Sequence, residues 1–172
     1  YIRWDSEKRD DSINWEYLVR WALELQFDPT IMLIGLSMHT AERVVRVGPF
    51  VGQAGAVRGS VIAGCGLAVK WSKIMLYHTL HKTHSQIPAE LATFYDDIVT
   101  PAIGTDTHVV YTLRTCALSI WRLLKGAGLK ISSSKTTITT SVPQVARLVQ
   151  QELVKEGLSI KRARACVDLG VD

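Results

Sequence analysis

The stretch that decides the fold is Leu91-Ala92-Thr93-Phe94-Tyr95-Asp96-Asp97-Ile98-Val99-Thr100. Two short runs rich in apolar, aromatic and β-branched residues flank a pair of acids, a pattern typical of a tight β-hairpin. We therefore predict a strand over 90–95, a turn at Asp96-Asp97 and a return strand over 98–100. Because Asp is common in turns for conformational reasons alone, a solvated acidic turn is the simpler interpretation of the pair.

A third acid, Asp5, follows Tyr1-Ile2-Arg3-Trp4, which we predict to be the end of another strand. If that strand neighbours the hairpin, Asp5, Asp96 and Asp97 converge at one edge of a sheet. Clustered carboxylates repel one another, and divalent cations relieve the repulsion; hard oxygen ligands suit Mg²⁺. Two such ions can stabilise both the attacking and the leaving oxygen of a phosphoryl transfer. The acids thus predict a metal site, with the solvated turn as the alternative.

Around this hairpin the chain predicts an α+β fold, a small antiparallel sheet backed by helices on one face. Helices alternate with short strand pairs, and Gly or Pro separates many of them. The predicted helices run over 15–25 with Ser12 as the cap, from Pro29 through Leu36, from Gly64-Cys65-Gly66 through His78, over 107–125 and over 143–156. The predicted strands lie at 44–47, near 56–61, within 129–140 and over 165–171.

The composition is that of a globular chain with a real core, since 47% of the 172 residues are hydrophobic and 21% are charged. The net charge of +4 permits a polyanionic partner without requiring one. Cys65, Cys116 and Cys166 are spaced far apart, which indicates reduced thiols and an intracellular location. No stretch reaches the roughly 18 uncharged apolar residues of a membrane span, and residues 1–11 lack a signal-peptide core. The sequence begins within a predicted structural element.

Five segments belong together because of their order and spacing. They are Asp5–Ile13, Arg43–Val47 with Val57–Leu67, Phe94–Val99, Gly128–Thr136 and Leu169–Asp172. They resemble the palm motifs of reverse transcriptases from retrotransposons lacking long terminal repeats, and are also similar to those of group II intron reverse transcriptases. In the first family motif, Asp-x-Glu-Lys is followed two residues later by Asp-Ser-Ile, as in residues 5–13. Each segment is short, but together they cover nearly the whole chain.

The resemblance implies that residues 1–172 are a single palm region of an RNA-directed DNA polymerase. Asp5 and Asp96 then hold two Mg²⁺ ions, or Mn²⁺, and Asp97 supports the metal site from beside them. A primer 3′-hydroxyl attacks the α-phosphate of a deoxynucleoside triphosphate, with RNA as the template and DNA as the primer. The expected location is intracellular, and the likeness to retrotransposon enzymes makes the nucleus a candidate compartment.

Other positions acquire roles from the same resemblance, each with a simpler alternative. Gly64 and Gly66 let the backbone approach the template and the incoming nucleotide, although glycines also suit a helix start. Arg58 contacts template phosphate, or is a solvated turn residue. Lys135 neutralises or protonates the leaving pyrophosphate, or is a surface lysine in a strand. Tyr95 adjoins the bound nucleotide.

Two departures from the family pattern define an alternative function. Asp10 stands where the family has Phe or Tyr, the ring that packs under the nucleotide sugar and excludes a 2′-hydroxyl. Ala63 replaces a Gln near the template, and Gly66 replaces a Pro. These changes favour a catalytically impaired, retrotransposon-derived remnant that acts, if at all, as a nucleic-acid-binding module. A two-metal hydrolase is a third hypothesis, but it lacks the His or further acids that usually complete such a site.

The 172-residue chain alone is expected to extend primers poorly or not at all. The fingers of the family precede the first motif and supply basic residues for the triphosphate, the thumb follows the last motif, and these residues include neither. Primer extension on an RNA template, measured beside a complete reverse transcriptase, tests this. Extension at a comparable rate would contradict it.

Overall fold

A computed structural model describes residues 1–6, 13–53, 59–62, 65–84, 90–94 and 97–164. Within these ranges the fold is mixed α+β, as predicted. The helices are α1 (Trp15–Glu24), α2 (Pro29–Thr40), α3 (Gly66–His84), α4 (Asp106–Gly126) and α5 (Pro143–Lys155). The strands are β1 (Ile2–Trp4), β2 (Val44–Val47), β3 (Phe50–Gln53), β4 (Ala92–Phe94), β5 (Asp97–Thr100), β6 (Thr137–Ile138) and β7 (Lys161–Arg162).

The chain forms two compact units. One combines Tyr1–Glu7 with Tyr77–Asp172, and the other is Lys8–Leu76, so the division falls inside α3. We call them the sheet unit and the inserted unit. The sheet unit contains a five-stranded sheet in the order β4-β5-β1-β6-β7, and the inserted unit contains the separate β2-β3 hairpin.

The five-stranded sheet is mixed, so the prediction of an antiparallel sheet is wrong at one edge. β4, β5, β1 and β6 pair antiparallel in succession, whereas β6 and β7 are parallel. Parallel neighbours need a crossover connection, and here α5 lies between the two strands in the chain. The helix was predicted, but its role as a crossover depends on where β7 pairs.

Alternation along β1 and β5 determines which face of the sheet is covered. Ile2, Trp4, Ile98 and Thr100 are buried, whereas Arg3 and its neighbours on the other face are partly exposed. α4 packs along α5 and also contacts β5. Both helices bury apolar stripes at helical spacing. The buried residues include Leu113, Ala117, Ile120 and Leu124 on α4, and Val145, Val149 and Leu153 on α5.

Local signals explain most element boundaries. Asp28 caps α2 by accepting the N–H groups of Thr30 and Ile31, and Pro29 occupies the first turn, as predicted. The cap of α1 is Asn14 rather than Ser12, since the Asn14 side chain accepts the N–H groups of Glu16 and Tyr17. Ser12 itself lies outside the described residues.

Two predicted strands need correction or remain outside the described residues. The partner of β2 is β3 at Phe50–Gln53, not a strand near 56–61, because Gly48 adopts φ +59° and closes a two-residue turn with Pro49. Residues 59–62 form no strand. The region 129–140 contains β6 and an isolated bridge between Ile131 and Ser6. The strand predicted over 165–171 lies outside the described residues, after β7.

A buried hydrogen bond ties β1 to β5 on the covered face. The Trp4 Nε1–H donates to Thr100 Oγ1 at 3.0 Å. Thr100→Val should lower the free energy of unfolding by about 1–3 kcal/mol, because it leaves a buried indole N–H unpaired. Urea denaturation measures the change, and Thr93→Val, at an exposed position of the edge strand β4, is the control, expected within about 0.5 kcal/mol of the unmodified chain. Equal effects of the two substitutions would contradict the prediction.

Candidate metal centre at the β1–β5 edge

The strand that ends before Asp5 lies directly beside the strand that begins at Asp97. Ile2 pairs with Thr100, Arg3 with Val99 and Trp4 with Ile98, in antiparallel register. One further step in this register brings Asp5 opposite Asp97. This register meets the condition set for the metal site, that the two acidic segments belong to neighbouring strands, but Asp97 begins β5 and does not lie in the predicted turn.

Arg3 shares this sheet face with both acids, because alternate residues of a strand point the same way. Its Nη2 donates to Asp97 Oδ2 at 3.2 Å and its Nε to Asp97 Oδ1 at 3.4 Å. This is the two-pronged arrangement in which a guanidinium holds a carboxylate. The Arg3 and Asp97 side chains are 28% and 16% exposed, so the pair is only partly screened by water. A cation is thus accommodated beside Asp97.

The backbone of Asp5 is held on its other side by the turn that precedes β6. The Asp5 N–H donates to Thr136 Oγ1 at 3.2 Å, and its carbonyl accepts the Ser132 N–H at 2.8 Å. The turn is closed by the Thr136 N–H, which donates to the Ser132 carbonyl at 2.8 Å. Asp5 therefore has its main chain fixed between β5 and this turn, which restricts the position of its carboxylate.

Lys135 is exposed and belongs to the same turn, directly before Thr136. The sequence predicts that Lys135 neutralises or protonates the leaving pyrophosphate, or that it is a surface lysine in a strand. The structure places it in a turn rather than a strand, one residue from the side chain that hydrogen-bonds Asp5. The turn therefore brings a positive charge to the same end of the sheet as the acids.

The remaining candidate residues divide between the inserted unit and the undescribed ranges. Gly66 is the first residue of α3, and no described atom lies within 4 Å of where its Cβ would be. The helix start, which is the simpler interpretation of this glycine, is present. The other predicted site residues, Asp10, Arg58, Gly64, Tyr95 and Asp96, lie outside the described residues, as does Ala63.

Within the described ranges, no group of three or more His, Cys, Asp or Glu side chains is arranged to hold a metal ion. Asp5 and Asp97 supply two carboxylates, and the third predicted acid, Asp96, is covalently next to Asp97. Two open clefts of about 470 and 860 Å³ lie toward the other end of β1, where Thr140 and Arg164 contribute to both. Neither cleft includes Asp5, Asp97 or Lys135.

The chain matches no protein-family model, and no curated protein is significantly similar to it in sequence. Among the helices of the described ranges, none combines the length and the apolar character needed to cross a membrane.

Arg3→Met should strengthen Mn²⁺ binding by roughly fivefold, because it removes the cation that balances Asp97; partly exposed ion pairs of this kind are worth about 1 kcal/mol or less. The measurement is an electron paramagnetic resonance titration of free Mn²⁺. Arg122→Met, on the outer side of α4, loses the same charge away from the acids and serves as the control. If both variants bind Mn²⁺ with equal affinity, Arg3 does not compete with the metal.

Proposed function

We propose that this chain is the palm region of an RNA-directed DNA polymerase, similar to the reverse transcriptases of retrotransposons lacking long terminal repeats. The observation that carries the proposal is the antiparallel pairing of β1 with β5, a register that brings Asp5 opposite Asp97, the residue that follows Asp96 in the chain. The order of the five sequence motifs supports it independently. The motifs concern the order of residues along the chain, whereas the pairing concerns the register of the sheet.

The residues present fit a divalent metal site. Asp5 and Asp97 are hard oxygen donors on one sheet face. Asp5 and Asp96 would hold two Mg²⁺ ions, with Mn²⁺ as a substitute, and Asp97 would support them. When bound, such ions neutralise charge on the attacking and leaving oxygens. Because Arg3 occupies both Asp97 oxygens, the supporting role suits Asp97 better than direct coordination.

The protein's own contribution to nucleotidyl transfer is mostly positioning. The hydrogen bonds from Ser132 and Thr136 restrain Asp5, and the β5 register restrains Asp97. Exposed Lys135, on the turn that holds Asp5, would stabilise negative charge on the leaving pyrophosphate. Gly66 would leave room for the template strand or the incoming nucleotide. Arg58, Gly64 and Tyr95 keep their predicted roles in binding.

A second candidate function is a nucleic-acid-binding remnant without turnover. The Arg3–Asp97 ion pair favours it, because a resident guanidinium competes with metal at one of the three acids. Asp10 favours it as well, since a carboxylate cannot provide the apolar wall on which sugar selection depends in the family. The two candidates share the fold and the polyanionic partner, and differ in whether the acids bind metal. For either, we propose an intracellular location, with the nucleus included.

Metal binding separates the two candidates without requiring catalysis. If the palm site is intact, the chain binds Mn²⁺, and either Asp5→Asn or Asp96→Asn lowers the affinity by about tenfold or more, because each removes a charged ligand. Mn²⁺ titration by electron paramagnetic resonance measures the affinity. Asp106→Asn, an exposed acid in the first turn of α4, is the matched control and should leave it unchanged.

The opposite result is equally informative. Mn²⁺ binding that survives both Asp5→Asn and Asp96→Asn would exclude the proposed site. A chain that binds a primed RNA template but no Mn²⁺ would be the remnant rather than the polymerase.

A further inference from the structure

One buried histidine in the inserted unit has no role in the chemistry described above. His39, in the last turn of α2, is fully buried. Its ring lies against Trp71 of α3, with ring centroids 4.8 Å apart, and against Trp15 of α1, at 6.1 Å. A Cβ on Gly35, one helical turn earlier, would come within 2.5 Å of the Trp71 ring. The stack therefore requires glycine there, and the ring is held from three helices.

The polar contact of this ring is with the backbone of the chain that leads into α3. The Ile62 N–H donates to His39 Nδ1 at 2.9 Å. Because Nδ1 accepts, a neutral ring must carry its proton on Nε2. Nε2 is buried and has no hydrogen-bond partner among the described atoms. His39 thus acts as an acceptor, and its neutral form is the one that makes the bond.

Ile62, the residue that His39 holds, begins a short hydrogen-bonded path into α3. The Ile62 carbonyl accepts the Cys65 N–H at 3.1 Å, and the Cys65 carbonyl accepts the Ala68 N–H at 2.9 Å inside α3. Through Ile62, the buried His39 is therefore linked to Cys65 and to the start of α3 at Gly66.

We propose that His39 is a positioning residue: by accepting the Ile62 N–H, it holds the segment at the start of α3, Cys65 and Gly66, in place for a nucleic-acid strand. This rests on the proposed function, since it takes that segment to be the contact for template or nucleotide. His39 itself touches neither. Its contribution is to hold the backbone at Ile62, where loss of the acceptor would leave a part-buried amide unpaired.

The hydrogen bond from the Ile62 N–H to His39, which we call the tether, is lost when the ring is protonated at low pH. Burial lowers the pKa of His39, and the charge of Arg43, whose Nη2 donates to the His39 carbonyl at 3.4 Å, lowers it further. Among the described residues, the two indoles and the Ile62 amide also contact the ring, and none of these groups titrates. The stability that the neutral ring contributes is complete above the pKa of the unfolded state, about 6.5. It is lost as the pH falls from there toward the lowered pKa of the folded state. An imidazolium cannot accept the Ile62 N–H.

The first test uses the unmodified 172-residue chain and ¹⁵N NMR of the imidazole. We expect the Nε2–H tautomer at neutral pH, and an Ile62 amide resonance that changes with the ring as pH is lowered below about 6.5. A proton on Nδ1 at neutral pH, or an Ile62 resonance indifferent to the titration of the ring, would overturn the tether.

The second test compares two substitutions by fluorescence anisotropy of a labelled RNA template annealed to a DNA primer. His39→Leu removes the acceptor and should weaken binding about tenfold, whereas His39→Asn places an amide oxygen near Nδ1 and should stay within about threefold of the unmodified chain. Acid should weaken binding by the unmodified chain more than by the Asn variant. If circular dichroism shows that both variants are folded and they bind equally well, the positioning role of His39 is overturned.

Mn²⁺ affinity distinguishes this failure from failure of the proposed function. The acids belong to the sheet unit, so His39→Leu should leave Mn²⁺ binding unchanged. Absence of Mn²⁺ binding in the unmodified chain counts against the polymerase proposal but leaves the NMR result on the tether intact. Normal Mn²⁺ binding without the expected tautomer counts against His39 alone.

Discussion

The antiparallel pairing of β1 with β5 is the constraint on which the rest of the sheet unit depends. β1 is central, with β5 on one side and β6 on the other, so it connects the acidic hairpin to the turn that carries Lys135. The same register has two consequences. It buries Ile2, Trp4, Ile98 and Thr100 on one face, and it leaves Arg3 and Asp97 on the other face, where charge is tolerated. A slip of one residue would exchange these faces and bury the acids.

Much of this fold is predictable from periodicity and caps, and the exceptions have physical causes. The helix at Asp28-Pro29 and the strand closing at Gly48-Pro49 follow from local chemistry, since capping and turn formation involve neighbours in the chain. The partner of β2 is harder to predict, because 50–53 and 56–61 both offer β-branched or small residues and only the turn geometry selects the first. The parallel pairing of β7 depends on packing of α5, which no local pattern encodes.

The candidate site shows the same division between local and non-local information. Asp5 and the Asp96-Asp97 pair are identifiable from motif and spacing, whereas the adjacency of β1 and β5 is non-local and is given by the register of the sheet. Arg3 escapes prediction because its importance comes from a diagonal contact across two strands. The hydrogen bonds that Ser132 and Thr136 make with the Asp5 backbone are also hard to predict, because a run of Ser and Thr residues is compatible with many turns. His39 resembles an ordinary helical residue until its burial and its Nδ1 contact are known.

The position of β1 in the sheet has a consequence for the order of synthesis. The central strand is translated before both of its neighbours, and the whole inserted unit separates it from them. At about 5–20 residues per second, the ribosome needs roughly 5–20 s to deliver β5 after β1 has emerged. During that interval Ile2 and Trp4 have no sheet to join, and they form an apolar, edge-exposed segment of nascent chain. A holdase that shields such segments would therefore have most to protect at the very strand that later organises the sheet.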